Sequence, residues 1–138
     1  MPKSIFISLP VADVARSTAF YEAIGFEKNA QFSNEHASSL VWSDSITINV
    51  LDKSFYNTLT PKQIIDARTS SGVLLALSFD SKAEVDAITK AAVAAGGREA
   101  HDAEDEGFMY SRAFEDLDGH GFGPFWMDVS AMTPAAAT

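Results

Sequence analysis

Alternating apolar and polar residues open almost at the start of the chain. Ile5, Ile7, Leu9 and Val11 fall on one face of a pleat, and Phe6, Ser8 and Pro10 on the other. Asp13 then stands where a helix can be capped. Val14, Ser17, Tyr21 and Ile24 recur at helical spacing, and Gly25 is placed to end the helix. Strand-like segments follow at Glu27 to Phe32, Ala37 to Trp42 and Ser45 to Leu51, joined by short polar turns. Strand, helix and three strands make one βαβββ module over about residues 1–53.

Thr60, Pro61 and Gln63 have the form of a helix start: a capping hydroxyl, proline at the first helical position and a glutamine that completes a capping box. They predict a short linker helix at about 60–68. The first pattern then restarts with a strand from Val73 to Phe79 and a second capping box at Ser81 and Glu84. The helix that follows carries Val85, Ile88, Ala92 and Ala95 on one side and stops at Gly96 and Gly97. Strands are predicted at Arg98 to Ala100, Phe108 to Glu115 and Gly121 to Asp128, the last two joined at the Asp118–Gly119 turn signal. The second module covers about residues 72–129, and residues 130–138 form a flexible tail. The fold class expected is α+β, with two βαβββ modules in a single domain.

Composition narrows the function classes. The 138 residues suit one compact domain, and 46% apolar content is enough for a core. No apolar run approaches the roughly 20 residues of a membrane helix. The N-terminus has no secretory pattern, and without cysteine there is neither a disulfide framework nor a thiolate metal site. These features set a cytoplasmic expectation with no membrane partner. A net charge of −9 with scattered basic residues argues against nucleic acid. Asp102, Glu104, Asp105 and Glu106 are expected in a solvated acidic loop that also holds His101.

Motifs for covalent chemistry are missing. There is no Gly-x-Ser-x-Gly elbow, and the glycines at 119, 121 and 123 lack the Lys-Ser/Thr ending of a phosphate loop. Asp116 and Asp118 bracket a turn, where such side chains bond their own backbone. His120 belongs to the same turn, His36 to a surface loop and His101 to the acidic segment. No two of them have the spacing that places paired imidazoles on one face. Arg112 beside Tyr110 is expected as a surface charge next to a strand aromatic.

Three stretches together resemble the vicinal oxygen chelate superfamily, which includes glyoxalases, bleomycin resistance proteins and extradiol dioxygenases. They are Phe6 to Asp13 (FISLPVAD), Ser17 to Tyr21 (STAFY) with Gly25 and Phe26, and Phe114 to His120 (FEDLDGH). The resemblance implies half-open barrels with helices on the convex side and a ligand cavity on the concave face. Many members hold a metal there. The first ligand position lies seven residues before Asp13, at Phe6, and the last lies four after Gly119, at Gly123. Superposing Val11 on Phe79 and Asp13 on Ser81 carries Phe6 onto Leu74, and the strand ending the first module puts Asn49 at the remaining position. Phe, Leu and Gly have no donor atom in their side chains, so no metal and no cofactor are expected.

Strand parity assigns a cavity face of Phe6, Ser8, Thr47, Asn49, Leu51, Leu74, Ala76, Ser78, Gly121, Gly123, Phe125 and Met127. It assigns Ile5, Ile7, Leu9, Ile46, Ile48, Val50, Leu75, Leu77, Phe79, Phe122 and Trp126 to the core beneath the helices. The candidate ligand-binding residues are Phe6, Ser8, Thr47, Asn49, Leu74, Ala76, Gly123 and Phe125, with Trp42 and Tyr110 at the entrance. That face could hold a neutral small organic molecule or could pack shut. The expected function is a glyoxalase/bleomycin-resistance-like protein that lacks the metal site and binds such a molecule in the concave cavity. A metal-dependent lyase or dioxygenase, and a noncatalytic dimeric scaffold with a closed cavity, are the alternatives. The resemblance also implies a homodimer, because two helices and a linker must shield eight strands.

Overall fold

The computed structural model describes residues 3–131. Strand β1 (Ile5–Val11) leads into α1 (Val14–Ala23), whose first turn is closed by the Asp13 carboxylate accepting from the Arg16 N–H. Strands β2 (Glu27–Lys28), β3 (Ala37–Ser43) and β4 (Ile46–Asp52) complete the first module. Helix α2 (Lys53–Leu59) follows, and then β5 (Leu74–Phe79), α3 (Lys82–Ala94), β6 (Arg98–Asp105), β7 (Met109–Glu115) and β8 (Gly121–Met127). The strands form two four-stranded open sheets of matching order, β1-β4-β3-β2 and β5-β8-β7-β6. In each, the first and last strands of the module pair in parallel and the others run antiparallel. The α+β fold of two βαβββ modules is the one predicted.

Several boundaries differ from the sequence reading. The linker helix expected at 60–68 lies upstream, at Lys53–Leu59, and Thr60 to Val73 is irregular. Asp52 provides the stronger cap, its carboxylate accepting from the Phe55 N–H at 2.8 Å. Pro61 disfavours helical geometry at Thr60, whose hydroxyl instead accepts from the Lys62 N–H. The strand expected through Phe32 stops at Lys28, because the Asn29 side chain turns the chain into a single 3₁₀ turn at Ala30–Phe32. Strand β6 runs on to Asp105, so Asp102, Glu104 and Asp105 lie on a sheet edge, while Glu106 follows in the turn before β7. The pairing of β6 with β7 is irregular around His101. Val129–Ala131 forms a last 3₁₀ turn, and the rest of the expected tail lies outside the described residues. No helix among the described residues is long and apolar enough to cross a membrane.

Both sheets turn their helix-bearing faces to one core. Leu9, Val11, Ile48 and Val50 of the first sheet meet Phe20 and Tyr21 of α1, Ile88 and Ala92 of α3, and Leu77, Phe114 and Phe122 of the second sheet. Phe114 stacks on Phe122 at 5.2 Å, while Phe20 and Tyr21 meet edge to face. The parity argument holds along most of each strand: Ile7 and Leu77 pack inward, whereas Phe6 is 63% and Leu74 76% exposed; Ile5, assigned to the core, is instead 54% exposed at the start of β1. Gly97 lies in the seam between the modules. A Cβ there would sit 2.5 Å from the Glu115 carbonyl oxygen and 2.8 Å from the Phe20 ring.

Polar groups fasten the seam. The Tyr21 hydroxyl donates to Asp116 Oδ2 at 2.5 Å, and Asp116 Oδ1 accepts from the N–H groups of Asp118 and His120. Asp118 reaches back to accept from the Ala12 N–H at 2.8 Å and, more loosely, from the Ser17 hydroxyl. His120 Nε2 donates to the Pro10 carbonyl at 2.7 Å. The FEDLDGH turn of one module thus holds β1 and α1 of the other. Burial raises the Asp116 carboxyl above its usual range, against the opposing pull of nearby His120, the Tyr21 hydroxyl and the two backbone N–H groups. Burial, then the adjacent Asp116, pushes the Tyr21 phenol well above its ordinary value.

Tyr21→Phe should lower unfolding free energy by about 1.5–3 kcal/mol, the value of a hydrogen bond to a charged group. Asp116→Ala should cost about 3 kcal/mol or more, because it strands a hydroxyl and two N–H groups together. Urea unfolding at neutral pH reads both. The stability held by a raised phenol is complete below its unfolded value of about 10 and is lost as pH rises through the folded value. Wild-type stability should therefore fall more steeply above about pH 10 than that of Tyr21→Phe.

Candidate functional site

The faces turned away from the shared core carry the candidate site residues. On the first sheet, β1 and β4 lie in register, with Phe6 opposite Thr47 and Ser8 opposite Asn49, while β3 places Ser39 across from Asn49. A cavity of about 620 Å3 opens over this face. Ser39, Thr47 and Asn49 form its floor, and three phenyl rings surround it: Phe6, Phe32 from the 3₁₀ turn and Phe55 from α2. Phe32 is 69% exposed, a high value for so large an apolar group. Among the described residues, no fully buried side-chain polar atom lacks a partner. Asp44 at the edge is the only charged side chain among the lining residues.

The remaining candidates do not join this cavity. Ala76 and Gly123 face each other across β5 and β8, and Phe125 pairs with Ser78 on the outer face of the second sheet. Ser8 and Leu74 line a separate cleft at the junction of the modules. The single cavity expected from the sequence is thus divided, since one core occupies the helix sides of both sheets and turns their open faces outward.

Trp42 and Tyr110, expected at the entrance, belong to the helix side. Trp42 shares the phase of Leu40 and packs on Phe26 at 4.8 Å and Phe79 at 5.9 Å. Tyr110 shares the phase of Phe114, and its hydroxyl donates to Asp86 of α3 at 2.6 Å. Arg112 donates to the same carboxylate and, through two nitrogens, to Glu99. Arg112 and Tyr110 therefore brace α3 against β7 and β6. Parity alone would have placed both aromatics correctly. The sequence pattern does not reach Phe32 or Phe55, since it runs a strand through the first and leaves the second in the connection before the predicted linker helix.

The resemblance implies a metal at Phe6, Asn49, Leu74 and Gly123, and the donors present do not fit one. Asn49 offers a neutral amide and the other three side chains offer nothing. Phe6 and Asn49 belong to one sheet and Leu74 and Gly123 to the other. Among the described residues, no three or more His, Cys, Asp or Glu side chains converge to hold an ion. His101 is exposed and accompanied by Asp102 and Glu104 on the β6 edge.

His36 has a more definite role. Its Nδ1 meets Asp52 Oδ2 at 2.6 Å, and Asp52 also caps the helix that carries Phe55. The hydrogen bond to Asp52 raises the imidazole above its ordinary value, and the same bond, with the Phe55 N–H, lowers the carboxyl. The pair thus links the N-terminus of α2 to the turn before β3.

Residues 3–37 match the bleomycin resistance protein-like N-terminal family. The fold is similar to that of a glyoxalase/bleomycin resistance protein/dioxygenase family enzyme from Burkholderia phytofirmans PsJN. That likeness has a TM-score of 0.77 at 17% identity and covers 91% of this chain and 99% of the other. A glyoxalase-related enzyme from Fulvimarina pelagi matches with a TM-score of 0.75 at 20% identity, over 91% and 88% of the two chains. A bleomycin resistance determinant encoded on transposon Tn5 matches at 0.62 and 18%, over 92% and 99%. No curated protein matches the sequence.

The pH response of the His36–Asp52 pair is open to test. A raised imidazole contributes stability that is present below its unfolded value of about 6.5 and is lost as pH rises through the folded value. A lowered carboxyl contributes above its unfolded value of about 3.9, and that contribution is lost as pH falls through the folded value. The two contributions overlap between about pH 4 and 6.5. The His36 C2 proton should titrate above the ordinary histidine midpoint in wild type and return to it in Asp52→Asn.

Proposed function

Because this chain has the fold of the vicinal oxygen chelate superfamily, we propose that it binds a small, uncharged organic molecule on the outer face of its first module, without a metal. The observation that carries this reading is the cavity of about 620 Å3 whose polar but uncharged floor is ringed by Phe6, Phe32 and Phe55. Its volume falls in the usual range for organic ligands, and a few placed polar groups among apolar walls are how such sites fix orientation. Asn49 supplies both a donor and an acceptor, while Ser39 and Thr47 supply hydroxyls that serve as either. A formal charge would lose its hydration here with no opposite charge in the floor to replace it.

Sequestration suits this chemistry better than turnover. Among the described residues, no nucleophile with an adjacent base, and no group of acid and base side chains, faces the cavity floor. The open cavity also argues against a scaffold packed shut. A second copy of the chain completes the assembly, because each open sheet ends in strand edges that association can cover.

Three measurements test this reading. Protein passed through excess zinc, manganese, iron or nickel and then desalted should retain well under one ion per chain, and stoichiometric retention at the first-module face would overturn the metal-free assignment. In a screen of neutral aromatic amides followed by NMR, hits should shift the Ser39, Thr47 and Asn49 resonances. Asn49→Leu should then weaken them about tenfold, the loss of one or two hydrogen bonds. Sedimentation velocity at micromolar concentration should show a dimer, and a monomer alone would refute the proposed assembly.

A further inference from the structure

Ser8 and Leu74 line a second cleft, of about 490 Å3, that the proposed binding face does not use. It is built by the end of β1, Tyr56 of α2, the irregular linker from Thr60 to Val73 with the first residue of β5, and the turn before β8. The linker is seated and not merely nearby. Arg68 Nη2 donates to the Leu117 carbonyl at 2.6 Å, and a Cβ on Gly119, whose φ is +96°, would lie 2.8 Å from the Arg68 backbone nitrogen. Only glycine allows the turn both that backbone conformation and that close approach.

The charges of the cleft nearly cancel. Lys62 contributes one positive charge, and Glu115 one negative charge that is already shared with Arg98 at 3.2 Å. A strongly ionic ligand would gain no net counter-charge. His120 sets the polarity of the inner wall. Its Nε2 faces the Pro10 carbonyl, which can only accept, so Nε2 carries the proton. In the neutral ring Nδ1 is then an acceptor, and no protein donor among the described residues meets it. A bare acceptor beside apolar walls that include Ile65, Val73 and Leu74 calls for a compact apolar molecule carrying one hydrogen-bond donor.

We infer that this junction cleft is a second small-molecule site, selective for a neutral apolar ligand that donates a hydroxyl or N–H to Nδ1 of His120. It stands independently of the first-module site. A ligand here touches β1, β8 and the linker at once, so its binding strengthens the seam between the modules.

The probes are 4-ethylphenol and 4-ethylanisole, which share an apolar body and differ in the donor. In NMR titrations of the full chain, 4-ethylphenol should give saturable shifts at Ser8, Gly72 and His120. Its affinity should exceed that of 4-ethylanisole by roughly fivefold, the value of one modest hydrogen bond. The imidazole nitrogen spectrum of His120 should change with the phenol and not with the ether. Gly72→Phe plugs the cleft from an exposed loop where the nearest atom to a new Cβ is Ile65 Cδ1 at 3.8 Å, and it should abolish the shifts while the melting temperature holds. Ser71→Trp serves as a second plug should the first variant fail to fold. Asn49→Leu should leave phenol binding unchanged, which separates this site from the first-module face. The absence of saturable shifts at these residues, equal affinity for the ether, or shifts that survive both plugs would overturn the inference.

Discussion

The buried hydrogen bond from Tyr21 to Asp116 is the constraint on which the rest of the structure depends. Each four-stranded open sheet has one face covered by its own module's main helix, and two such units could lie side by side in many ways. The Tyr21 hydroxyl and the Asp116 carboxylate are both buried in the seam, where an unmet polar group is costly. Only an arrangement that brings them together satisfies both. Asp118 and His120 then hold the ends of β1 and α1 through backbone groups, fixing orientation as well as distance. Specificity of module packing resides in these polar contacts, and the surrounding aromatic rings supply the burial that drives it.

Much of the fold was legible because its signals are local. Asp13 and Ser81 cap helices where the sequence places them, and the phase of Ile7, Leu9 and Leu77 fixes which side of each strand meets the core. The displaced linker helix shows where local signals compete. Thr60 and Pro61 make a good helix start, yet Asp52 had already started a helix seven residues long that ended before them. Charge in the acidic segment indicates solvent exposure, and a sheet edge is as open to solvent as a loop. Propensity could not distinguish the two.

The candidate site was less legible, for a geometric reason. Parity tells which residues of a strand share a face, but not whether two faces converge. Phe6 and Asn49 share one sheet and Ala76 and Gly123 the other, and the open faces of the two sheets turn away from a common core. Phe32 and Phe55 come from short elements outside the strand pattern, so no phase argument could reach them. The role of the FEDLDGH stretch could not be read from turn chemistry alone, since its partners lie about a hundred residues away along the chain.

Strand β6 has a bearing on how the protein behaves in a crowded solution. Among the described residues it ends the second sheet, and its outer backbone groups are the kind of template on which foreign strands add and fibrils begin. Two irregularities in its pairing with β7 break the flatness that such growth needs, and Asp102, Glu104 and Asp105 place like charges along the same edge. A second chain approaching in register would bring an identical set of carboxylates against the first. That repulsion vanishes when the carboxylates gain protons, so the edge is guarded by ionisation and the chain's colloidal behaviour is tied to the acidity of its surroundings.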